Sequence, residues 1–296
     1  MWVPVDKATL ATMYEESSDE KTLCGTTGET AVKTKLYSKS ITIGTDSNKK
    51  TMSRTTPGLT SYREPDLVVG SDGASYDAKD TYYKTILGET GTKEQLAQLF
   101  VDEYKAMIES VSKYGGFYIG RYELSSEGVQ KDKATLTNTN WYDLYQKCKI
   151  LNASNKVEAR MIWGCQWDVA CNFIANKGDK KSITDSSSWG NYKGTSVKAD
   201  DGTTEIKASG TLAKLNTGKT TFTMANNIYD LAGNVWEWTQ EANNTYNRAS
   251  RGGVYYNGGS NFPASSRNID SNGIGGNVNI RFSSHFNNKV ILDTRA

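Results

Sequence analysis

The chain has 296 residues, enough for one elaborated domain or two compact ones with a sizeable core. Its 35 Lys+Arg against 33 Asp+Glu leave no basic excess with which to bind a phosphate backbone, so nucleic acid is excluded as a partner held by charge. No run approaches the roughly 18 apolar residues of a spanning helix, which argues against direct membrane insertion, and the first residues lack a signal-peptide pattern. A single histidine, His285, removes most histidine-based metal and nucleophile chemistry.

In chain order, Trp2-Val3-Pro4-Val5 predicts a short strand. A strand this early suggests that the chain follows, or was cut from, a longer polypeptide or belongs to a larger particle. The rest of residues 1 to 90 is rich in Thr, Ser, Lys, Asp and Gly, with little periodicity. Thr92 and Gln95 then form a capping box. Leu96, Leu99, Phe100, Tyr104, Met107, Ile108 and Val111 follow at helical spacing until Gly115-Gly116, predicting an amphipathic helix over 92–114. Phe117 to Glu123 has strand composition. Further helices are expected from Trp141 to Leu151 and from Gln166 to Ala175, the latter with Trp167, Ala170, Cys171 and Ile174 on one face. Residues 176 to 220 look like a polar insertion or long loop. Residues 228–239 follow, and then an Asn/Gly/Ser/Tyr-rich tail that ends in an expected strand over 289–292. The organisation is an N-terminal extension, 1–115, and a domain, 116–296, with a distinctive region over about 242–288. Helices early and short strands late, without βαβ alternation, predict an α+β fold.

The four cysteines, Cys24, Cys148, Cys165 and Cys171, form no C-x-x-C pair, which excludes zinc ribbons and thioredoxin-like motifs. Cys165 and Cys171 lie six apart on a predicted helix and point away from each other, so buried free thiols are expected. Gly218-Lys219-Thr220 resembles the end of a P-loop, but Ala213 stands where the loop needs glycine. Gly273-Ile274-Gly275-Gly276 lacks dinucleotide-binding spacing, and Glu64-Pro65-Asp66 has no companion motif to make it a sugar site.

The informative run is Asn227-Ile228-Tyr229-Asp230-Leu231-Ala232-Gly233-Asn234-Val235-Trp236-Glu237-Trp238-Thr239, followed by Arg251-Gly252-Gly253. Together with Gly120-Arg121-Tyr122-Glu123, Thr139-Asn140-Trp141-Tyr142-Asp143 and Arg160-Met161 through Gln166-Trp167-Asp168, it resembles the formylglycine-generating-enzyme/sulfatase-modifying superfamily, from about Gly116 onward. The resemblance implies a C-type-lectin-like fold with short antiparallel strands, two to three helices and long ordered loops. Catalytic members carry a reactive cysteine pair soon after Arg-Gly-Gly and use copper. Here Val254-Tyr255-Tyr256-Asn257 follows, and no cysteine occurs after Cys171. Relatives with a histidine-ligated iron need more than one histidine. No catalytic residue and no required cofactor are therefore expected. The resemblance also implies a structural calcium at Asp230, Gly233, Val235 and Glu237, where hard oxygen ligands suit that ion. The alternative is that Asp230 caps a turn and Glu237 pairs with a buried arginine.

From Ala242 to Asn288, 47 residues contain eleven Asn and seven Gly but no Lys, Glu, Gln, Met, Trp, Leu or Cys. Tyr, Asn, Ser and Gly suit a binding surface, from which lysine is depleted. A genetic reason is also at hand: substituting the adenines of AAC or AAT asparagine codons yields Tyr, Asp, Ser, Ile, Val, Phe and others, but never Lys, Glu, Gln, Met or Trp. Val254, Tyr255, Tyr256, Asn257, Asn261, Phe262, Ser266, Asn268, Ile269, Asp270, Asn272, Ile274 and Asn277 all belong to the reachable set. They are interleaved with a frame of Arg251, Gly252, Gly253, Arg267 and Arg281, to which Trp236 and Trp238 belong from upstream.

This pattern resembles the variable proteins of diversity-generating retroelements, ligand binders of phage tails and bacterial surfaces. The resemblance implies a protein or glycan ligand, such as a surface receptor, and a place on a virion or cell surface. Arg251 and Arg267 are expected to brace loops through backbone carbonyls. Trp236 and Trp238 alternate, which puts one ring in the core and the other near the site. The competing readings are a formylglycine-type oxidase and an undiversified structural surface or tail protein.

Overall fold

The computed structural model describes residues 1–24, 32–38, 84–151, 157–179, 181–244, 247–271, 278–280 and 282–286. Strand β1 (Trp2–Pro4), helix α1 (Lys7–Met13) and the hairpin of β2 (Tyr14–Cys24) and β3 (Val32–Ser38) come first. Next come α2 (Lys84–Leu87), α3 (Lys93–Tyr114), β4 (Gly116–Ile119), α4 (Trp141–Ile150), β5 (Val157–Met161) and α5 (Gly164–Asn176). The short strands β6 (Val197–Lys198), β7 (Glu205–Lys207), β8 (Met224–Ala225) and β9 (Ile228–Tyr229) follow. The chain then forms β10 (Trp236–Asn244), β11 (Asn247–Arg251), β12 (Arg267–Ser271), β13 (Val278–Ile280) and β14 (Phe282–Phe286).

Two four-stranded sheets organise these elements, in the orders β1-β4-β14-β5 and β12-β11-β10-β13. Among the described strand pairs only β10–β13 is parallel, with Trp236 opposite Val278. Helices on short, mainly antiparallel strands, joined by long ordered loops, make this the expected α+β, C-type-lectin-like architecture.

Local chemistry sets the element ends. Thr92 and Gln95 close the capping box of α3: the Thr92 N–H donates to Gln95 Oε1 at 3.0 Å, and the Gln95 N–H to Thr92 Oγ1 at 3.2 Å. The helix then buries Leu96, Phe100, Tyr104, Met107 and Val111. It stops at Gly115, whose left-handed φ of 74° lets its N–H reach the Val111 carbonyl. At Gly116 a Cβ would sit 2.4 Å from the Val3 carbonyl oxygen, so the close approach of β1 to β4 depends on glycine there.

One core runs across the 115/116 boundary. Val3, Val5, Met13, Leu96 and Phe100 pack in the same cluster as Phe117, Trp141, Trp163, Trp167 and Trp238. Helix α5 is buried on every side from Gly164 to Cys171, rather than on the single face expected, because it fills the centre of this cluster.

Three expectations change. The strand predicted over 117–123 ends at Ile119, because the next residues pair elsewhere: the Arg121 carbonyl accepts from the Tyr229 N–H and the Glu123 N–H donates to Thr217 Oγ1. The 228–239 segment, read as strand at Trp236 and Trp238, carries β9 and the start of β10 with a turn between them, since Asp230 (φ 58°), Gly233 (φ 77°) and Asn234 (φ 62°) bend the chain. The supposed insertion over 176–220 is built into the domain, with Ile183, Trp189, Tyr192, Val197 and Lys207 buried. The expected strand over 289–292 lies outside the described residues, as do Asn272, Ile274, Asn277 and Arg281. Cys148, Cys165 and Cys171 are buried free thiols, and no helix among the described residues is long and apolar enough to cross a membrane.

Candidate functional site

The site begins in the core with four charges. Arg251 ends β11, Arg267 begins β12, and the strand register sets them directly opposite each other. Two adjacent buried cations are tolerable only with compensation, and two carboxylates supply it. Asp168, from α5, pairs with Arg251 at 2.9 Å and with Arg267 at 3.2 Å. Glu241, from β10, pairs with Arg267 at 2.7 Å and with Arg251 at 3.5 Å. All four side chains are at most 3% exposed, and their charges cancel. Burial lowers the pKa of Arg251, Arg267 lowers it further, and Asp168 and Glu241 oppose both.

Arg251 also braces the loop ahead of it. Its Nε donates to the Ser266 carbonyl at 2.8 Å and an Nη to the Ser265 carbonyl at 3.2 Å, so one guanidinium ties the ion ring to the return of the loop. The ion pairs to Asp168 and Glu241 are additional to the carbonyl contacts that the sequence suggested.

Between the two arginines, residues 252–266 leave the sheet as an irregular loop pinned by its backbone. Gly252 and Gly253 hold φ values of 87° and 83°. A Cβ on Gly253 would lie 2.3 Å from the Phe262 carbonyl oxygen and 2.9 Å from the Tyr192 ring. The Gly252 carbonyl accepts from Tyr192 Oη and from the Gly233 N–H, each at 2.8 Å. Further along, the Asn257 carbonyl accepts from the Lys193 N–H and the Gly259 carbonyl from the Ser186 N–H, both at 3.0 Å. The Ala264 carbonyl accepts from Trp167 Nε1 at 3.0 Å, the Ala264 N–H donates to Ser186 Oγ at 3.0 Å, and the Ser265 N–H to the Ile183 carbonyl at 3.0 Å. The floor of the loop is therefore residues 183–193, part of the segment that polarity alone marked as an insertion. In retrospect Trp189-Gly190-Asn191-Tyr192 was the signal, because two large aromatics in a Ser/Gly-rich stretch need something to pack against.

With the backbone fixed, the side chains divide. Tyr256 is 42% exposed and Asn261 is exposed, while Tyr255, Asn257, Phe262 and Asn268 are half-buried. Tyr255 and Tyr256 meet edge to face at 5.1 Å, and Phe262 meets Trp236 edge to face at 5.6 Å. Trp238 is fully buried, whereas Trp236, slightly exposed, supports Phe262. Val254 and Ser266, expected among the surface positions, are fully buried. Val254 belongs to the core cluster and Ser266 lies beneath the loop with its carbonyl on Arg251, so neither side chain reaches the surface. The backbones of Ile269 and Asp270 lie in β12.

The Gly-Asn-Val-Trp run serves as a hub beneath the loop. Asn234 Nδ2 donates to Glu123 Oε2 at 2.7 Å, and its Oδ1 accepts from Asn191 Nδ2 at 3.0 Å and the Leu215 N–H at 2.9 Å. The Asn234 carbonyl accepts from the Tyr255 N–H at 3.0 Å. Gly233 leaves no room for a side chain, since a Cβ there would lie 2.3 Å from the Asn191 carbonyl oxygen.

Asp230, the first of the implied calcium ligands, is engaged by protein donors. Its carboxylate accepts from the Gly218 N–H at 2.6 Å, Thr223 Oγ1 at 2.7 Å and Thr217 Oγ1 at 3.1 Å, so both oxygens already face protein donors. Val235 and Glu237 are buried with it. This is the turn-cap alternative for Asp230. The buried arginines 251 and 267 pair with Asp168 and Glu241, the acids that sequence reading did not single out. A chelator is expected to leave the melting temperature unchanged, as differential scanning calorimetry with and without EDTA would check.

Burial pushes the Cys171 thiol up to about 12 and the Cys148 thiol well above its usual value, the reverse of what a nucleophile needs.

Fold and site together define a C-type-lectin-like domain presenting a loop-built aromatic and carboxamide surface. No protein-family model and no curated protein matches the sequence. Among solved structures, Treponema denticola variable protein 1 is similar with a TM-score of 0.38 at 15% identity, over 58% of this chain and 85% of that one. The crystal structure of CarF is similar with a TM-score of 0.33 at 16% identity, over 62% of this chain and 82% of that one.

Proposed function

We propose that this chain is a non-catalytic ligand-binding protein whose recognition face is the loop after Arg251-Gly252-Gly253, carried by Tyr255, Tyr256, Asn257, Asn261, Phe262 and Asn268. The observation that carries the proposal is the division within the loop. Its backbone is held by residues outside it together with its own short turns, while Tyr256 and Asn261 are exposed and contribute little to the core. Such a frame tolerates exchange of the outward side chains without loss of shape, and those side chains then set specificity. The ligand is a protein or glycan on a receptor surface, recognised by a chain displayed on a virion or cell. No metal has a part in this recognition.

The composition of 242–288 extends the proposal: the segment is rewritten by adenine-directed reverse transcription, which reaches every outward residue named above and cannot produce the lysine it lacks. The native locus tests this directly. A near-identical downstream copy differing only at adenines, beside a reverse transcriptase gene, is expected; a locus with neither removes the diversification claim. Turnover is tested separately: oxidation of a cysteine peptide by the purified chain with copper would restore the enzyme reading.

A further inference from the structure

Lys207, the last residue of β7, is 3% exposed, a depth at which an ammonium needs a full set of partners. Its Nζ donates to the carbonyls of Tyr192 at 2.7 Å and Thr195 at 2.8 Å, with the Thr211 carbonyl at a longer 3.5 Å. No carboxylate lies within ion-pair distance of it among the described residues; Glu205 acts only from farther away. A compact cation ringed by backbone carbonyl oxygens from two chain segments has the donor chemistry of a hard-cation site, with the charge here on a covalent stem.

The cradle sits one step from the loop after Gly253. Tyr192 accepts at the cradle through its carbonyl and donates to the Gly252 carbonyl through its hydroxyl at 2.8 Å. Lys193, the next residue, donates its N–H to the Asn257 carbonyl at 3.0 Å and accepts from the Gly210 N–H at 2.7 Å. Ser209 Oγ adds a bond to the Gly194 carbonyl at 3.0 Å. Lys207 thus joins the 192–195 and 208–211 segments at one point. The first of these holds two carbonyls of the loop.

We propose that Lys207 is a tethered cation occupying an ion-type carbonyl site, and that it is a positioning residue for the 252–262 loop. That the loop so positioned is a recognition face rests on the reading above. The carbonyl site does not.

The test removes the tether and offers a free cation to the full-length chain. Lys207→Ala is expected to lower Tm by about 5 °C, because buried carbonyls lose a charged donor. Methylammonium on the order of 0.1 M is expected to recover at least half of that loss by binding the folded state, while tetramethylammonium at equal ionic strength recovers none. Lys207→Met keeps the stem but leaves no room for an amine, so it should lose stability without recovery. In Lys207→Met the amides of Lys193 and Gly210 should exchange at least tenfold faster, with the Tyr104 amide in α3 unchanged.

A wild-type Tm in Lys207→Ala, a loss that methylammonium does not reverse, or unchanged exchange at Lys193 and Gly210 would each overturn the assignment. If neither variant folds in either salt, Lys207 is a general core contact and the assignment also falls. None of these readouts involves a ligand, so failure of the binding reading leaves them intact, and their failure leaves the binding reading to its own test.

Discussion

Residues 183–195 and 252–268 are both Ser/Gly/Asn-rich and both largely without regular secondary structure, yet they do opposite work. The first sends Ile183, Trp189 and Tyr192 inward and donates backbone hydrogen bonds to the second. The second accepts those bonds and turns Tyr256 and Asn261 outward. Irregular backbone therefore says little about rigidity; what matters is where its N–H and C=O groups go. A loop whose carbonyls are satisfied by a neighbouring segment, and whose Gly253 and Val254 fit beneath it, holds its shape without help from its outward side chains. Under the proposed function stability and recognition are separable, and that separation can be attacked from either side.

The largest effect should come from the ion ring under the loop. Asp168→Ala leaves Arg251 and Arg267 opposed with only Glu241 between them, and is expected to cost about 3–5 kcal/mol in denaturant unfolding. Next is Gly253→Ala, which forces an L side chain into a left-handed φ and against the Phe262 carbonyl, with an expected loss of about 2 kcal/mol or more in the same measurement.

Alkaline pH probes the buried core: Cys148 lies away from the loop, whereas Cys171 reaches its Ala264 carbonyl at 3.9 Å. Burial raises the folded pKa of Cys148 and Cys171 above the ordinary value of 9.0, so below pH 9 their contribution to stability is fully present. Above pH 9 the unfolded chain releases protons that the folded chain retains. Stability is thus expected to fall from pH 9 towards 12, by about 1.4 kcal/mol per pH unit for each thiol, as urea titrations at pH 8 and 10 would record.

The smallest effect on stability belongs to the face itself. Tyr256→Ala and Asn261→Ala should each stay within about 0.5 kcal/mol of the parent in denaturant unfolding. Under the proposed recognition reading, each should weaken binding to a ligand captured by the parent chain by about tenfold or more. If the same changes cost several kcal/mol instead, the loop is holding itself up and the contrast with its floor collapses.

Much of the framework was legible in the sequence because its signals are local. Thr92 and Gln95 are three residues apart, the apolar stripe of α3 is periodic, and Asn140 stands at the N-cap of α4, accepting from the Asp143 N–H at 2.9 Å. The outward Tyr and Asn of the loop were legible from composition. The ion ring was not, since Asp168 and Arg251 are 83 positions apart and nothing in spacing pairs one acid with one arginine. Buried Val254 and Ser266 were misplaced for a related reason: codon reachability marks what can vary, not which way a side chain points. The floor was missed because its order comes from backbone hydrogen bonds to a distant loop, which leave no periodicity behind. Lys207 escaped notice because a lysine in a polar stretch looks solvated until the fold closes carbonyls around it.

Strand β14, one of the last elements in the chain, lies between β4 and β5 in the first sheet. That sheet cannot close during synthesis until the ribosome has finished the loop region and passed Phe286. A message that stops early or slips frame anywhere after Gly253 yields a product without the strand that joins β4 to β5, exposed to proteases from the start. Under the proposed rewriting of this segment, the fold inspects each new copy: only a complete, in-frame variant gains the central strand, so the population that survives is screened for integrity before it meets a target.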